Sequence, residues 1–297
     1  MSDKVVQDKV VQDKVVPNGA APATARRRVA LGPRLYGVIG LLAVIAVWWI
    51  SAETIFATVG VSPTGQGGSI PNPLEVVTSI ANDGVQFYAK NISVTLQEAL
   101  QGYLWGNGLA LLLAALVLLF PPSEGVVTRV AVITYCIPIT AIGPIIRIVI
   151  GPPDSGEASG TAVFLAAMLV FFTTVIGALL GLKSADRASL DLVFVFGGGR
   201  WKQLTKVRLI SALPAILNAL KIAAPAAFLG AIVGEYLGGV DLGIGPALVN
   251  AQQGLMVPRA WGIAIVTGLV SGAGYAIVAL IARFATPWSA GQKGPRS

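Results

Sequence analysis

The feature that most constrains this chain is a series of six long apolar stretches separated by polar segments. A helix that crosses about 30 Å of hydrocarbon needs roughly 20 apolar residues. Of the 297 residues, 55% are hydrophobic and only 12% are charged, whereas a soluble domain carries about 25% charged residues. The sequence therefore predicts an all-α membrane protein with about six transmembrane helices. The predicted spans are Leu35–Thr54, Val94–Phe120, Val126–Ile150, Gly160–Leu182, Pro214–Leu237 and Arg259–Phe284.

Lysine and arginine are distributed unevenly between the segments that join these spans. If the N-terminus is cytoplasmic, the inner segments hold 17 of the 21 Lys and Arg residues, and the outer loops hold only Lys90. Positive residues accumulate on the cytoplasmic side of membrane proteins, so the bias predicts that both termini are cytoplasmic. The inner segments are 1–34, 121–129, 183–208 and 283–297, with seven, one, six and three positive residues.

The two ends of the chain are predicted to lie outside the membrane domain. Residues 1–34 contain three copies of a polar five-residue unit and then Arg26-Arg27-Arg28, which predicts a disordered basic cytoplasmic tail. A cleaved signal peptide is the alternative, but the apolar run that follows is long and lacks a clear small-x-small site. Residues 35–285 are predicted to form the membrane domain, and residues 286–297 a second cytoplasmic tail.

Several kinds of chemistry are excluded by what the sequence lacks. There is no histidine and a single cysteine, Cys136, which excludes a Cys/His zinc site, a catalytic histidine and an intrachain disulfide. The phosphate-binding pattern Gly-x-x-x-x-Gly-Lys-Ser/Thr does not occur, nor does a nucleophile elbow. We therefore predict a chain that is not an enzyme and binds no cofactor or metal itself. The net charge of +7 is explained by topology and contact with the lipid bilayer, and no nucleic-acid partner is expected.

A few residues within the predicted spans are candidates for a translocation pathway. Pro138 and Pro144 interrupt the third span, which suits either a helix that lines a polar path or a kink required by packing. Arg147 lies four residues before Gly151, close enough to the outer interface to reach it by snorkelling. Glu235 lies near the outer end of the fifth span, so it is expected to face protein or water. It would contact substrate or brace a helix, and bracing is favoured.

The inner segment between the fourth and fifth spans has the composition of a docking loop. Ser184 and Asp186 are candidate helix caps, residues 187–196 are expected to form a short helix, and the glycines 197–199 are expected to end it. Arg200–Arg208 then forms a basic return. The alternative is a solvated loop with no partner, since the positive-inside rule by itself would explain the positive charge.

The order of residues in this loop resembles the cytoplasmic loop of ATP-binding-cassette (ABC) importer permeases. That motif reads Glu-Ala-Ala, three residues, Gly, nine residues, Ile-x-Leu-Pro. Aligned on Gly197, Asp191 stands at the glutamate and Val207 at the isoleucine, and Leu213-Pro214 follows. Gly197–Trp201 is similar to the nitrate/sulfonate/taurine/bicarbonate branch. Further matches at Pro71–Val76, Thr95-Leu96, Gly102, Glu235 and Gly243–Gly245 extend the resemblance over roughly residues 40–285.

The resemblance implies a type I ABC importer permease in a bacterial inner membrane, working as a homodimer. It implies cytoplasmic ATP-binding subunits that hydrolyse ATP, and an extracytoplasmic protein that delivers a small oxyanion. Within the loop 183–213, Asp191, Arg200 and Trp201 would contact the ATPase, and Gly197 would form the turn.

Departures from the family motif keep other functions open. Leu192 and Val193 replace the two alanines, and Ile210 replaces a proline, so coupling to an ATPase could be altered or lost. An ion-gradient-driven transporter is a second class, favoured by acidic residues at mid-membrane, which we expect the spans to lack. A membrane scaffold without transport is a third.

Overall fold

The computed structural model describes residues 33–57, 59–60, 68–154 and 156–288. All regular structure in these ranges is helical, and residues 1–45 and 46–297 form separate units by their contacts, so each is described by itself. The predicted N-terminal tail, apart from its last two residues, and most of the C-terminal tail lie outside the described residues. The helices are α1 Pro33–Glu53, α2 Pro73–Leu119, α3 Glu124–Cys136, α4 Ile139–Ile150, α5 Gly160–Lys183, α6 Arg187–Val195, α7 Arg200–Gln203, α8 Leu209–Gly238, α9 Ile244–Gln253 and α10 Val257–Ala285.

The first unit contributes only the start of α1 to the described residues. Helix α1 is apolar along its length and belongs to the five helices that are long and apolar enough to cross a bilayer. The remaining four are α2, α5, the continuous helical stretch from Arg200 to Gly238, and α10. They agree with the predicted spans.

Helix α2 starts much earlier than the predicted second span. Asn72 caps it, with its side chain accepting the Glu75 N–H while the Glu75 carboxylate accepts the Asn72 N–H, and Pro73 occupies the first turn. This is a complete capping box. Gly84 interrupts the helix with φ 74° and ψ 161°, a backbone conformation that glycine adopts readily. Hydropathy alone therefore located the membrane part of α2 but missed its polar outer extension.

Helix α5 is the centre of the second unit, where it packs between α2 and α8. Small residues allow the backbones to approach closely: an added Cβ at Gly234 of α8 would lie 2.3 Å from the Ala162 Cα of α5. On the other side of α5, a Cβ at Gly106 of α2 would lie 2.4 Å from the Ala167 carbonyl oxygen. Small-residue contacts of this kind are how membrane helices gain close van der Waals packing.

The third predicted span is a broken pair of helices. Helix α3 ends at Cys136, α4 begins at Ile139, and their axes differ by 94°. Pro138, which lies between them, cannot donate a backbone hydrogen bond, so the interruption follows from the sequence.

Contacts at both ends of α5 show that this pair crosses from one side to the other. The start of α3 forms an ion pair between Glu124 and Lys183 at the inner end of α5. The chain then reaches Ser159 at the opposite end of α5, where the Ser159 N–H donates to Glu98. Because α5 has 24 residues and is about 36 Å long, the α3–α4 pair traverses that distance. With the pair counted as one span, the six predicted spans are confirmed.

Helix α8 begins at Leu209, before Pro214, the residue at which the fifth span was predicted to begin. The chain is helical from Arg200, through a π-helical stretch at Leu204–Arg208, so Pro214 lies inside the helix. Proline lacks the N–H that would donate to the carbonyl four residues earlier, and its ring crowds that carbonyl, so Pro214 removes one hydrogen bond from the helix interior.

Candidate functional site

The inner loop is a compact turn-helix-turn whose ends are fixed by local chemistry. The Asp186 carboxylate accepts the Ser189 N–H and caps α6. After α6, Gly197 adopts φ 72°, and the N–H of Gly198 donates to the Val193 carbonyl oxygen at 2.8 Å. Glycine is the residue that takes this left-handed conformation without steric cost. The predicted short helix and its glycine stop are therefore confirmed.

The return segment is tied back to α6 by a side-chain hydrogen bond. The Gln203 side-chain amide of α7 donates to the Leu190 carbonyl oxygen of α6 at 3.0 Å. At the base of the loop, the Ser184 hydroxyl donates to the Gly181 carbonyl oxygen at 2.7 Å and lies 3.4 Å from the Ser211 carbonyl oxygen. The loop is thus held as one piece against the inner ends of α5 and α8.

Helix α6 presents large apolar side chains that no described residue covers. Phe194 is 72% exposed and Phe196 is 80% exposed, and Trp201 of α7 is 67% exposed. The Lys and Arg bias places this loop in the cytoplasm, where an exposed apolar patch of this kind marks a protein interaction site. We call the surface formed by Leu192, Phe194, Val195, Phe196 and Trp201 the α6 patch.

The predicted coupling residues separate into an exposed group and a group at the base of the loop. Asp191, Gly197 and Arg200 are exposed beside the α6 patch. Val207, Leu213 and Pro214 are half-buried in the π-helical stretch and the first turns of α8. Their roles in coupling stay predictions.

The outer site centres on Glu235, which is 1% exposed. Its Oε1 accepts the Thr95 hydroxyl hydrogen at 2.5 Å, and its Oε2 accepts the Gly245 N–H at 2.6 Å. The Ile244 N–H donates to the Thr95 hydroxyl oxygen at 2.9 Å, and the Gly243 N–H donates to Asn91 Oδ1 at 3.2 Å. These contacts join the start of α9 to α2 and α8, which favours the bracing role for Glu235.

Glu98 was missed by the sequence reasoning, and the expectation that the spans lack acids needs correction. It lies in α2 within the predicted second span, is fully buried, and accepts the Ser159 N–H on Oε1 at 2.6 Å. A carboxylate at the fifth residue of a predicted apolar span was the signal in the sequence that could have revealed this site. Glu98 and Glu235 both lie in a buried network with Thr95, Ser159 and the start of α9.

A cavity of about 980 Å³ lies between α2, the broken pair and α5. Its lining is almost entirely apolar and aromatic, with Gln101 and Thr134 as the polar side chains and no lysine or arginine. The largest lining side chains are Trp105, Phe164, Met168 and Phe171. A cavity of this size can hold a small solute.

The other predicted pathway residues do not line this cavity. Pro138 and Pro144 are exposed in the broken pair, and the cavity wall there is formed by Ile137 and Ile142. The Arg147 guanidinium packs against Gly239 at the end of α8, where an added Cβ would lie 2.6 Å from it. The structure thus brings Arg147 to the outer end of α8, and the translocation roles of these residues stay predictions.

Comparisons with known proteins agree with this arrangement. Residues 106–289 match the family described as binding-protein-dependent transport system inner membrane component. A candidate ABC transporter permease of Haemophilus influenzae is 32% identical over 57% of this chain and 66% of its own length. The formylaminopyrimidine transport permease ThiX of Halalkalibacterium halodurans is 26% identical over 87% of this chain and 96% of its own. A candidate aliphatic sulfonates transport permease, SsuC, of Bacillus subtilis is 24% identical over 93% and 98%.

The family match covers more than half of the chain and includes the broken span, the inner loop and Glu235 with the start of α9. The family match and the apolar helices place the protein in the bacterial inner membrane as a multi-pass component. The chain belongs to the family of binding-protein-dependent transport inner-membrane components, the permease subunits of ABC importers.

Proposed function

We propose that this permease moves a small solute inward, driven by ATP hydrolysis on separate cytoplasmic subunits that press on the α6 patch. The observation that supports this proposal most strongly is the patch itself: a capped helix on the cytoplasmic side with Phe194 and Phe196 exposed. Exposed aromatic side chains of this kind are enriched where another protein binds. The chain itself has no phosphate-binding glycine loop, so ATP would bind to the partner.

The departures from the family motif fit this arrangement. Leu192 and Val193 replace two alanines, and Leu192 is exposed on the patch. Larger apolar side chains need a correspondingly wider groove on the ATPase subunit. We therefore propose a dedicated ATPase partner, since a generic subunit would fit this surface poorly.

We further propose that two copies of the permease form the working unit. The cavity beside α2 is open, and its wall includes Leu104 and Leu112, which are 62% and 69% exposed. A second copy facing this surface would cover these side chains and enclose a path for the solute. An extracytoplasmic binding protein would deliver the solute to the outer loops, as the family description indicates.

Two solute classes are proposed. The sequence resemblance favours a small oxyanion, and one relative is named for sulfonates. A specific observation favours a second candidate: the cavity lining contains Trp105 and Phe164 but no cationic side chain. Such a lining suits a flat, uncharged ring such as a pyrimidine, and another relative is named for a formylaminopyrimidine. An oxyanion would meet no positive charge from this copy inside the cavity.

Uptake measured under separate energy sources tests the proposed function. Cells that express the full system would be given labelled taurine, nitrate or a pyrimidine, with either ATP depleted or the ion gradients collapsed. We expect uptake of one solute to stop on ATP depletion and to continue after collapse of the gradients. Uptake that survives ATP depletion and stops with the gradients would identify a gradient-driven transporter instead.

A further inference from the structure

Two buried carboxyl groups lie where the middle of α2 meets the residue before α5, the end of α8 and the start of α9. Glu98 is fully buried and Glu235 is 1% exposed, and Glu98 lies one helical turn after Thr95, whose hydroxyl donates to Glu235. No cation neutralises them, since the ion pairs of the described residues involve other carboxylates. The Arg147 guanidinium, the charged group that α4 brings to this end of α8, packs against Gly239.

The hydrogen-bond donors around the pair can be counted atom by atom. Glu235 accepts one hydrogen on each oxygen, from the Thr95 hydroxyl and from the Gly245 N–H. Glu98 accepts the Ser159 N–H on Oε1, whereas its buried Oε2 receives no N–H or hydroxyl hydrogen. An ionised carboxylate only accepts hydrogen bonds, so two ionised groups cannot bond to each other. In addition, two carboxylates that share one site repel strongly.

We propose that Glu98 and Glu235 form a proton-binding site, in which Glu98 carries one proton on Oε2 and donates it to the Glu235 carboxylate. This assignment gives each oxygen of the pair a hydrogen-bonding role and reduces the buried charge from two to one. The remaining negative charge on Glu235 lies at the start of α9, a helix of 10 residues. The partial positive charge of the helix N-terminus stabilises an anion there.

The proton would make the pair a brace for α9. Through Glu235 and Thr95, the first backbone N–H groups of α9 are held to α2 and α8. Through Glu98, the same network reaches Ser159 at the start of α5. Glu98 is therefore a positioning residue: without its proton, the two carboxylates would separate and release the start of α9 at the outer face.

Infrared spectroscopy of the full chain in lipid nanodiscs tests the proposal without depending on transport. With ¹³C-carboxyl-labelled glutamate, the wild type at neutral pH is expected to show the carbonyl band of a protonated, buried carboxylic acid. Glu98→Gln should remove this band, and Glu235→Gln should keep it. Absence of the band in the wild type, or its loss in Glu235→Gln but not in Glu98→Gln, would overturn the assignment.

The two glutamine variants also give opposite structural results. In Glu98→Gln, the new amide can donate to Glu235 as the acid does, so the melting temperature and the order of α9 should be retained. In Glu235→Gln, only one side-chain oxygen remains to accept from the Thr95 hydroxyl and the Gly245 N–H, which Glu235 binds through different oxygens, so one of these two hydrogen bonds is lost. A spin label at Gln252→Cys, with Cys136 replaced by serine, should become more mobile only in this variant. Equal effects of the two variants would contradict the proposal.

Discussion

Replacing Phe194 with aspartate is expected to abolish ATP-driven uptake while leaving the amount of folded protein in the membrane unchanged. Phe194 is 72% exposed on α6, and no other part of the described chain covers its ring. Aromatic anchors at the centre of an interface contribute about 2 kcal/mol or more, and a buried unpaired charge adds to that loss. Association with the ATPase should therefore weaken by a factor of about 30 or more.

Val85 provides a matched control for this substitution. It is 85% exposed and follows Gly84 in the outer part of α2, on the other side of the membrane from the α6 patch. Val85→Asp introduces the same charge at an equally open apolar position. Uptake by this variant should remain close to that of the wild type. If both variants lose uptake equally, or if Phe194→Asp retains it, the α6 patch is not the seat of the ATPase.

The second large effect is expected at Gly234, where α8 touches α5. Glycine to alanine in a helix interior normally stabilises by about 1 kcal/mol. At Gly234, however, the added Cβ would lie 2.3 Å from the Ala162 Cα, and a backbone atom cannot move aside as a side-chain end can. We expect Gly234→Ala to cost about 1–3 kcal/mol through overpacking. Thermal unfolding followed by size-exclusion chromatography in detergent would measure the loss.

Gly268→Ala is the control for the packing effect. Gly268 lies in α10, and an added Cβ there meets no atom within 4 Å. The melting temperature of this variant should be unchanged or slightly higher. Only the substitution at Gly234 should therefore lower the stability of the protein. A Gly234→Ala protein as stable as Gly268→Ala would show that α5 and α8 do not approach as closely as described.

Features determined by neighbouring residues were predictable from the sequence. The short helix α6 follows from the Asp186 cap and the Gly197 stop, which act within a few residues of the helix they bound. The membrane spans follow from hydropathy, because each span satisfies its own backbone hydrogen bonds. The positive residues at their inner ends determine the orientation.

Features that depend on distant contacts were not predictable. Glu98 was missed because only its contact with Ser159, one helical turn from the Thr95–Glu235 hydrogen bond, reveals a site. The prolines predicted that the third span is interrupted, but the 94° bend depends on how α3 and α4 pack against other helices. Pro214 was interpreted as the start of a span because proline is favoured in the first turn of a helix, whereas the helix already runs continuously from Arg200.

The most direct test of the account is a photo-crosslink from the α6 patch in intact cells. A benzophenone amino acid at position 194 should crosslink to a subunit that binds labelled ATP, and the same group at Tyr275, exposed on α10, should not. The crosslink should also be lost when Arg200 and Trp201, both exposed next to the patch, are replaced together by alanine. No ATP-binding product from position 194, in cells where uptake is ATP-dependent, would contradict the central claim.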